Sequence, residues 1–437
     1  MKLTVIGGGY VGLVSAAAFA HLGHEVLVVE KLAEKVELLR RGVSPIYEPG
    51  LEELIKEGLS AGRLDFTTDL REGVKFSEVI FICVGTPSLP DGSADLSQVE
   101  EVARLTAKYM DGYKLLVNKS TVPVGTHARV ERTVRLYLKD KELPFDVASN
   151  PEFLREGHAV KDFLEPDRIV VGVKSERARA LLDEVYKPIT EKGYPILFTD
   201  PASAEIIKYA SNTFLATKIS FINAVADLCE KVGADVESVA EGMGYDKRIG
   251  KEFLKAGLGW GGSCLPKDTK AFIKTLEEHG VNAEILKGAL KVNEERVDRL
   301  LSKLKEALWV LKGKKVAVWG LSFKPDTDDI REAPSLRVVR RLLEEEAFIR
   351  AYDPKATENF KKVFAEGERL KYCQSPYEAV KGAEALLILT EWDEFKRANL
   401  KKVKKLMELP VIVDGRNVYE PGEVRSLGFE YYPVGRP

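Results

Sequence analysis

This chain of 437 residues contains very little glutamine and has almost no net charge. Gln98 and Gln374 are the only glutamines, while 31% of the residues are charged, a composition typical of thermophilic proteins. The 66 lysine and arginine residues nearly balance the 68 aspartate and glutamate residues, and the net charge is -2. Because the chain has no general basic field, we expect no nucleic acid partner, and groups that bind an anionic small molecule must be local.

Cysteine is also rare. The four cysteines are far apart in the sequence and lack the spacing of metal ligands; they are Cys83, Cys229, Cys264 and Cys373. In a chain of this size such cysteines are expected as reduced thiols of a cytoplasmic protein. We therefore expect no metal site, and the chemistry of each thiol has to be judged from its local setting.

Long apolar stretches are limited to residues 3–22, which follow Lys2 and could imitate a secretory signal. This stretch contains the glycine-rich residues 7–12, and a strand-like stretch follows soon after, which argues against secretion. Other segments are too short or too polar to span a bilayer, so we expect no membrane partner. The length allows two or three domains with ordinary cores.

The same residues have the pattern of a nucleotide-binding strand, turn and helix. A β-rich run, Lys2–Ile6, precedes Gly7-Gly8-Gly9-Tyr10-Val11-Gly12, and residues 25–29 form a second strand-like run closed by Glu30. Such a turn admits a pyrophosphate to the helix N-terminus, and the acid can accept a hydrogen bond from a ribose hydroxyl. Because Glu30 would repel a 2′-phosphate, the pattern favours NAD over NADP. The alternative is a tight turn with nothing bound.

Two more apolar strands end in hydroxyl residues. Residues 79–84 precede Gly85-Thr86-Pro87, and residues 115–119 precede Ser120-Thr121. Since ligands of open α/β sheets bind at the carboxyl ends of such strands, Thr86 and Thr121 are candidates for the cofactor side of a site. Each hydroxyl could instead simply cap a turn.

A pair of carboxylates follows in Asn150-Pro151-Glu152-Phe153-Leu154-Arg155-Glu156-Gly157. Glu152 and Glu156 stand four residues apart in an aromatic and apolar setting, where they could do acid–base work. The alternative is a surface turn in which glutamate pairs with arginine.

Residues 202–232 contain neither glycine nor proline, and their apolar positions recur at helical spacing. They predict a helix of roughly 45 Å, long enough to link two domains and to offer a dimer face. Lys208 and Asn212 are four residues apart and therefore share one side of this helix. They either point into a site or extend outward to solvent.

A second set of strand-like runs comprises residues 313–320, 348–353, 386–389 and 411–414. It lacks Gly-x-Gly-x-x-Gly after its first strand, so it should bind its ligand differently. We therefore predict an α/β fold with two Rossmann-like domains joined by a long central helix. The expected boundaries are 1–200, 201–300 and 301–437.

The most reactive stretch is Gly259-Trp260-Gly261-Gly262-Ser263-Cys264-Leu265-Pro266-Lys267-Asp268. Its glycines let a backbone pass close to a ligand, and Pro266 suits the first turn of a helix. Cys264 would then precede a helix N-terminus, which favours the thiolate. A thiolate near a base in such a loop is typical of covalent catalysis, whereas the alternative is an inert buried cysteine.

In their order along the chain, these motifs resemble the UDP-glucose/GDP-mannose dehydrogenase family. The most specific segments are Gly261–Asp268 and Asn150–Glu156, supported by Phe323-Lys324 and Asp414-Gly415-Arg416. The Leu-Pro-Lys-Asp ending resembles the glucose and mannose branches more than the N-acetylated branch. The resemblance implies UDP-glucose as the substrate, with GDP-mannose as the alternative. Many relatives have Asp in place of Glu30 and Phe or Tyr in place of Trp260.

The resemblance implies oxidation of a primary alcohol to a carboxylate with two NAD. Cys264 would hold the aldehyde as a thiohemiacetal and then as a thioester. The implied oxyanion site consists of Lys208 and Asn212. Asp268 and Thr121 would position a water, and Glu152 would aid thioester hydrolysis. A two-electron dehydrogenase of the 2-hydroxyacid type and a non-enzymatic nucleotide sensor stay as alternatives.

The binding residues are also carried over from the resemblance. The implied cofactor-binding residues are Gly7, Gly9, Tyr10, Val11, Gly12, Glu30, Lys35, Thr86, Thr121, Glu156, Lys267 and Arg331. The implied substrate-binding residues are Glu152, Phe153, Leu154, Arg155, Glu156, Lys208, Asn212, Arg248, Phe253, Leu254, Lys255, Gly257, Gly261, Phe323, Lys324 and Arg416. Lys324, Arg416 and, across the interface of a homodimer, Arg248 would hold the diphosphate. The first part of the chain would bind NAD, the second would carry the cysteine loop and the dimer helix, and the third would bind the UDP-sugar.

Overall fold

The computed structural model describes residues 1–139 and 141–437. These residues divide into two units, the first comprising 1–211 with 270–279 and the second 212–269 with 280–437. Each unit contains one sheet covered by helices.

The elements of the first unit alternate between strand and helix. Its strands are β1 (Lys2–Ile6), β2 (Glu25–Val29), β3 (Leu64–Thr67), β4 (Val79–Ile82), β5 (Lys114–Asn118), β6 (Phe145–Ser149), β7 (Ile169–Gly172) and β8 (Ile196–Thr199). Its helices are α1 (Tyr10–His21), α2 (Ala33–Arg40), α3 (Leu51–Ser60), α4 (Leu70–Phe76), α5 (Ser97–Tyr109), α6 (Thr126–Leu138), α7 (Ala159–Leu164) and α8 (Glu176–Thr190). Helix α9 (Pro201–Val232) begins in this unit and continues into the second.

The second unit begins with helices. They are α10 (Val236–Gly244), α11 (Leu265–Glu278), whose last two and a half turns belong to the first unit, α12 (Glu284–Glu294) and α13 (Arg296–Leu308). Its strands are β9 (Lys315–Trp319), β10 (Phe348–Tyr352), β11 (Leu370–Tyr372), β12 (Ala385–Ile388), β13 (Val411–Asp414) and β14 (Glu430–Tyr432). The helices between them are α14 (Pro334–Glu344), α15 (Thr357–Lys361), α16 (Pro376–Val380), α17 (Asp393–Lys396), α18 (Leu400–Leu406) and α19 (Pro421–Ser426).

The first sheet has the strand order β3-β2-β1-β4-β5-β6-β7-β8. Its first six strands are parallel and follow the doubly wound order, while β7 runs antiparallel to β6 and parallel to β8. Strand β4 is buried at every position, as expected for a parallel strand covered by helices on both faces. The order reverses between β1 and β4, which is where doubly wound sheets bind ligands at the carboxyl ends of their strands.

The second sheet has the order β11-β10-β9-β12-β13-β14, and its strands are all parallel. This is the same doubly wound order, so the predicted α/β class with two Rossmann-like units joined by a long helix is confirmed. The predicted helix over 202–232 is confirmed as α9, which has 32 residues. Among the described residues, the helices are too short or too polar to cross a membrane.

Glu205 ties the start of α9 to two other elements of the first unit. Its buried carboxylate accepts hydrogen bonds from the backbone N–H groups of Gly125 at 2.7 Å and His127 at 2.8 Å. It also lies 3.0 Å from the His127 Nδ1 atom and 3.4 Å from the Ser149 hydroxyl. These groups lie at the N-terminus of α6 and the end of β6, so one side chain of α9 satisfies polar groups of two other elements.

We expect Glu205→Ala to lower the free energy of unfolding by about 3 kcal/mol, because it leaves several buried donors without an acceptor. Glu191→Ala is the control, since Glu191 is exposed and lies 3.8 Å from the exposed Lys187. We expect the control to change stability by less than about 0.5 kcal/mol. Urea denaturation measures both values, and equal midpoints for the two variants would contradict this role.

Candidate active site

The turn between β1 and α1 has the shape that a dinucleotide requires. Gly7 adopts φ +109°, and a Cβ atom there would lie 2.5 Å from the Cys83 carbonyl oxygen. A Cβ at Gly12 would lie 1.8 Å from the Gly7 oxygen, whereas the space beside Gly9 is open. The first turn of α1 has no acidic residue, and no side chain caps it at Gly9. The N-terminal N–H groups are therefore suited to a pyrophosphate, and these residues fit NAD.

Glu30 lies at the end of β2, as predicted, but it also has a structural role. Its Oε2 atom accepts from the Gly8 N–H at 3.1 Å and lies 3.2 Å from Lys35 Nζ. Its Oε1 atom accepts from the Leu32 N–H at 3.0 Å. Each carboxylate oxygen has two lone pairs, so Oε1 can still accept a ribose hydroxyl while Glu30 holds the glycine turn.

The hydroxyl candidates at the next two strand ends are joined to each other. Thr86 is buried and donates a hydrogen bond to the backbone oxygen of Thr121 at 2.9 Å. Ser120, beside it, donates to the Val84 oxygen at 2.7 Å. The carboxyl ends of β4 and β5 are thereby fixed together, which places Thr86 and Thr121 at the ligand edge of the sheet.

Glu152 and Lys208 form an ion pair in the first unit. The Glu152 Oε1 atom lies 3.2 Å from Lys208 Nζ, and both side chains are buried. The Phe153 ring contacts two cations, with the Arg168 guanidinium 3.6 Å and Lys208 Nζ 5.4 Å from its centre. Lys208 therefore points into the unit, where it meets Glu152, while its predicted partner Asn212 belongs to the second unit.

The remaining polar residues of this segment differ in exposure. Glu156 is buried, as expected for a residue that faces a ligand or the interior. Arg155 is exposed, and its guanidinium makes two hydrogen bonds to the Asp162 carboxylate at 2.9 and 2.6 Å. Its predicted role in substrate binding would require this pair to open.

Lys119 is a buried cation that the sequence reading did not single out. It is 4% exposed, and its Nζ atom donates to the Asn150 Oδ1 atom at 3.2 Å and to the Tyr186 hydroxyl at 3.4 Å. Burial, above all, lowers the pKa of Lys119 to about 8, and the nearby Glu152 opposes that shift. A buried cation with a shifted pKa next to predicted catalytic residues is a candidate member of the site. The apolar sequence of β5, which precedes Lys119, did not indicate that this lysine is buried beside the candidate site.

The cysteine loop of the second unit begins a helix, as predicted. Helix α11 starts at Leu265, so Cys264 immediately precedes its first turn, with the Ser263 hydroxyl 3.5 Å from Cys264 Sγ. Gly262 adopts φ +87°, and a Cβ atom there would lie 2.6 Å from the Phe323 ring. The Gly262 N–H donates to the Arg331 oxygen at 2.9 Å. Glycine is therefore required for the loop to pack against residues 323–331.

Asp268 and Asn212 are hydrogen-bonded in the second unit. The Asn212 amide donates to the Asp268 Oδ2 atom at 2.6 Å, and Lys267 Nζ lies 2.9 Å from Asp268 Oδ1. Asp268 is 1% exposed and lies one helical turn after Cys264, whose oxygen accepts from the Asp268 N–H at 2.8 Å. Asp268 thus lies one turn after the candidate thiol and is hydrogen-bonded to Asn212, a pairing that the sequence did not predict.

The segment predicted to cover the substrate, Phe253–Gly257, is anchored at its end. The Gly257 N–H donates to Asn223 Oδ1 at 2.8 Å, and a Cβ at Gly257 would lie 2.9 Å from the Gly415 oxygen. Arg416 Nη1 donates to the Gly259 oxygen at 2.9 Å, so this arginine braces the loop. Leu254 is buried and Lys255 is exposed.

The other predicted ligand groups lie nearer to solvent. A cation–π contact places Lys324 Nζ 5.5 Å from the Phe323 ring centre. The exposed Arg248 and Arg331 each pair with a carboxylate two residues earlier in the chain, Asp246 and Asp329, at 2.6 Å. These arginines would have to exchange that partner for a ligand phosphate.

Comparison with known proteins gives matches along almost the whole chain. Three models of the UDP-glucose/GDP-mannose dehydrogenase family match: the NAD binding domain over residues 1–190, the central domain over 202–295 and the UDP binding domain over 317–421. The UDP-glucose 6-dehydrogenase of Rhizobium meliloti (strain 1021) is 47% identical over 441 residues and is covered completely, as is this chain. A UDP-glucose 6-dehydrogenase of Bacillus subtilis (strain 168) is 47% identical over 436 residues, which are 100% of this chain and 98% of the relative.

A solved structure shows the same fold. The UDP-glucose dehydrogenase from the hyperthermophilic archaeon Pyrobaculum islandicum aligns with a TM-score of 0.92 and is 43% identical in sequence. The alignment covers 100% of this chain and 98% of that chain.

The buried ammonium of Lys119 should make stability depend on pH. Its pKa is about 8 in the folded chain and near 10.5 when unfolded, so between these values the unfolded chain binds more protons. The charge therefore disfavours folding below about pH 8, and this effect fades as the pH rises toward 10. We expect Lys119→Met to melt higher than the unsubstituted chain at pH 7, by a margin that shrinks at pH 10.

Thermal denaturation at both pH values measures this margin, with the exposed Lys192→Met as the control. A Lys119→Met variant that melts lower at pH 7 would show that the ammonium stabilises the fold. A difference in melting temperature that does not change with pH would show that the charge of Lys119 does not cause it.

Proposed function

The chain belongs to the UDP-glucose/GDP-mannose dehydrogenase family, and we propose that it oxidises UDP-glucose to UDP-glucuronate with NAD. The position of Cys264 carries this proposal. It directly precedes α11 and is one turn from Asp268, which is bonded to Asn212. The names of the full-length relatives support UDP-glucose over other nucleotide sugars.

The overall reaction needs two oxidations of one carbon. The C6 alcohol, two NAD⁺ and one water give the carboxylate, two NADH and three protons. NAD, when bound, would supply the hydride acceptor for each oxidation. The protein must therefore hold the sugar at the aldehyde level between the two oxidations, and it must admit water only at the end.

Cys264 is the residue that would retain the sugar at the aldehyde level. Its thiolate adds to the C6 aldehyde and forms a carbon–sulfur bond, while the aldehyde oxygen takes a proton to complete the thiohemiacetal. Loss of the C6 hydride and of the hydroxyl proton then leaves a thioester. Water attacks the thioester carbon and the thiolate leaves, which regenerates the enzyme. The N-terminus of α11 favours the thiolate in the first and last of these steps.

Lys208 and Asn212 are the proposed donors to the C6 oxygen when it carries negative charge. Both are already held in place, Lys208 by Glu152 at 3.2 Å and Asn212 by Asp268 at 2.6 Å. The ammonium has three donor hydrogens and the amide has two, which are the kinds of donor that a negatively charged oxygen requires. This preorganisation means that little rearrangement is needed as charge develops.

Three groups remain for proton and water chemistry. We assign Asp268 and Thr121 to a water that accepts the alcohol proton, and Glu152 to the water that hydrolyses the thioester. Glu152 and Asp268 are both buried, so their charge is screened little and acts strongly on nearby protons.

The remaining residues would bind the two nucleotides. NAD would be held by the glycine turn and Glu30, with Lys35, Thr86, Glu156, Lys267 and Arg331 as further contacts. For UDP-glucose we propose residues 152–156, 253–257, Gly261, Phe323, Lys324 and Arg416, and Arg248 of a second copy. The proposed division of labour is NAD binding by 1–200, catalysis and dimerisation by 201–300, and UDP-sugar binding by 301–437. All four cysteines are free thiols, which supports a cytoplasmic location.

Helix α9 offers a surface for a homodimer. Phe214, Phe221 and Leu228 recur every seven residues and therefore share one face of the helix. They are 65%, 54% and 59% exposed, and Val232 extends the stripe at 66%. An exposed apolar stripe on a long helix is well covered by the same helix of a second copy, because a two-fold axis pairs the stripe with itself.

The proposed function is tested by the stoichiometry of the purified protein. We expect two NADH per UDP-glucose, and a lower kcat/KM with GDP-mannose. Cys264→Ser should lose the second oxidation, whereas the buried Cys373→Ser is the control and should keep both. One NADH per sugar with an active Cys264→Ser variant would indicate a two-electron dehydrogenase, no NADH would indicate a sensor, and faster turnover of GDP-mannose would move the assignment to that sugar.

The dimer is tested by Phe221→Glu, which places a charge in the middle of the stripe. We expect the unsubstituted chain to be a dimer and this variant to be a monomer by light scattering after gel filtration. Tyr137→Glu, on the exposed face of α6, should remain a dimer. A monomeric unsubstituted chain, or a dimeric Phe221→Glu variant, would contradict the proposed interface.

A further inference from the structure

Glu48 is a buried carboxylate outside the predicted site that joins two of its parts. It lies between α2 and α3 and is 6% exposed. Its Oε2 atom accepts from the Tyr10 hydroxyl at 2.7 Å and from the Gly157 N–H at 2.8 Å. Its Oε1 atom accepts from the Ala159 N–H at 2.8 Å. Tyr10 belongs to the cofactor turn, and Gly157 ends the segment with Glu152 and Glu156.

The three bonds are short, and their donors lie on different elements. Tyr10 is the first residue of α1, and Ala159 is the first residue of α7. Gly157 adopts φ +87°, so its N–H is aimed by a conformation that glycine readily adopts. A buried carboxylate that accepts three hydrogen bonds holds its partners far more firmly than a solvent-exposed one.

The Tyr10 hydroxyl also lies within the electrostatic reach of the predicted site. Burial raises the pKa of Tyr10 most, followed by its hydrogen bond to Glu48 and the charges of Glu48, Glu156 and Glu152. The hydroxyl therefore stays protonated and can only donate toward this cluster of carboxylates. A shift of the cofactor turn would pull on Glu48, and through Glu48 on Gly157.

We propose that Glu48 is a positioning residue that couples the cofactor turn at Tyr10 to the substrate segment 152–157. Since the segment ends at Gly157, the positions of Glu152 and Glu156 depend on the Glu48 carboxylate, which also holds the cofactor turn. Occupation of the turn by NAD then stabilises the arrangement that receives the sugar, and by linkage the sugar stabilises NAD binding. This inference rests on the proposed function of these two segments.

The test compares the Michaelis constants of three variants. Tyr10→Phe removes one hydrogen bond and leaves Glu48 in place. Glu48→Gln keeps one acceptor oxygen but turns an NH₂ group toward a backbone N–H. We expect each variant to raise the KM for UDP-glucose, measured at saturating NAD, about fivefold. Since both act on one link, the double variant should be no worse than Glu48→Gln alone.

Glu57→Gln is the matched control, because Glu57 is an exposed carboxylate that pairs with His21 of α1. It should leave both Michaelis constants unchanged. If Tyr10→Phe raises only the KM for NAD, Tyr10 acts locally and the coupling is wrong. If Glu48→Gln lowers the melting temperature but changes neither KM, Glu48 is structural. Failure of the unsubstituted protein to reduce NAD with UDP-glucose would instead overturn the proposed function.

Discussion

The chemistry proposed for this protein depends on one structural constraint, a thiol at the N-terminus of a helix. Cys264 directly precedes α11, and the loop before it can follow its path only because Gly261 and Gly262 have no Cβ atom. At Gly261 a Cβ would lie 2.3 Å from the Glu332 oxygen. The same geometry places Asp268 one turn further on. The path of the glycine loop and the start of α11 therefore together fix the position of Cys264.

Buried carboxylates organise the rest of both units. Glu152, Glu205 and Glu48 in the first unit each bond to a group on another element. Asp414 does the same in the second unit, where it accepts from the Tyr431 hydroxyl at 2.6 Å and burial raises its pKa. A charged carboxylate is costly to bury unless its oxygen atoms accept hydrogen bonds. The conformations that satisfy them are therefore strongly favoured, and the polar groups of the site are held before any ligand arrives.

The sequence was informative wherever structure follows from neighbouring residues. The glycine turn, strand β2 with Glu30, helix α9 and the start of α11 are local patterns of period or spacing, and they formed as predicted. Glu48 could not be found this way, because its partner Gly157 is 109 residues away. Lys119 was not singled out because it directly follows the apolar strand β5 and has no motif of its own. The hydrogen-bond partners of individual side chains could not be predicted from the sequence either. Arg155 donates two hydrogen bonds to Asp162, and Glu30 accepts one from Gly8 as well as facing the cofactor edge.

The central claim is that a sulfur atom holds the half-oxidised sugar, and the bound intermediate tests it most directly. Glu152→Gln should slow thioester hydrolysis, so acid quenching of this variant during turnover should trap the acyl group. Mass spectrometry of the digested protein should then find a UDP-sugar adduct on the peptide that contains Cys264. An unmodified Cys264 peptide, with free aldehyde in solution, would contradict the account.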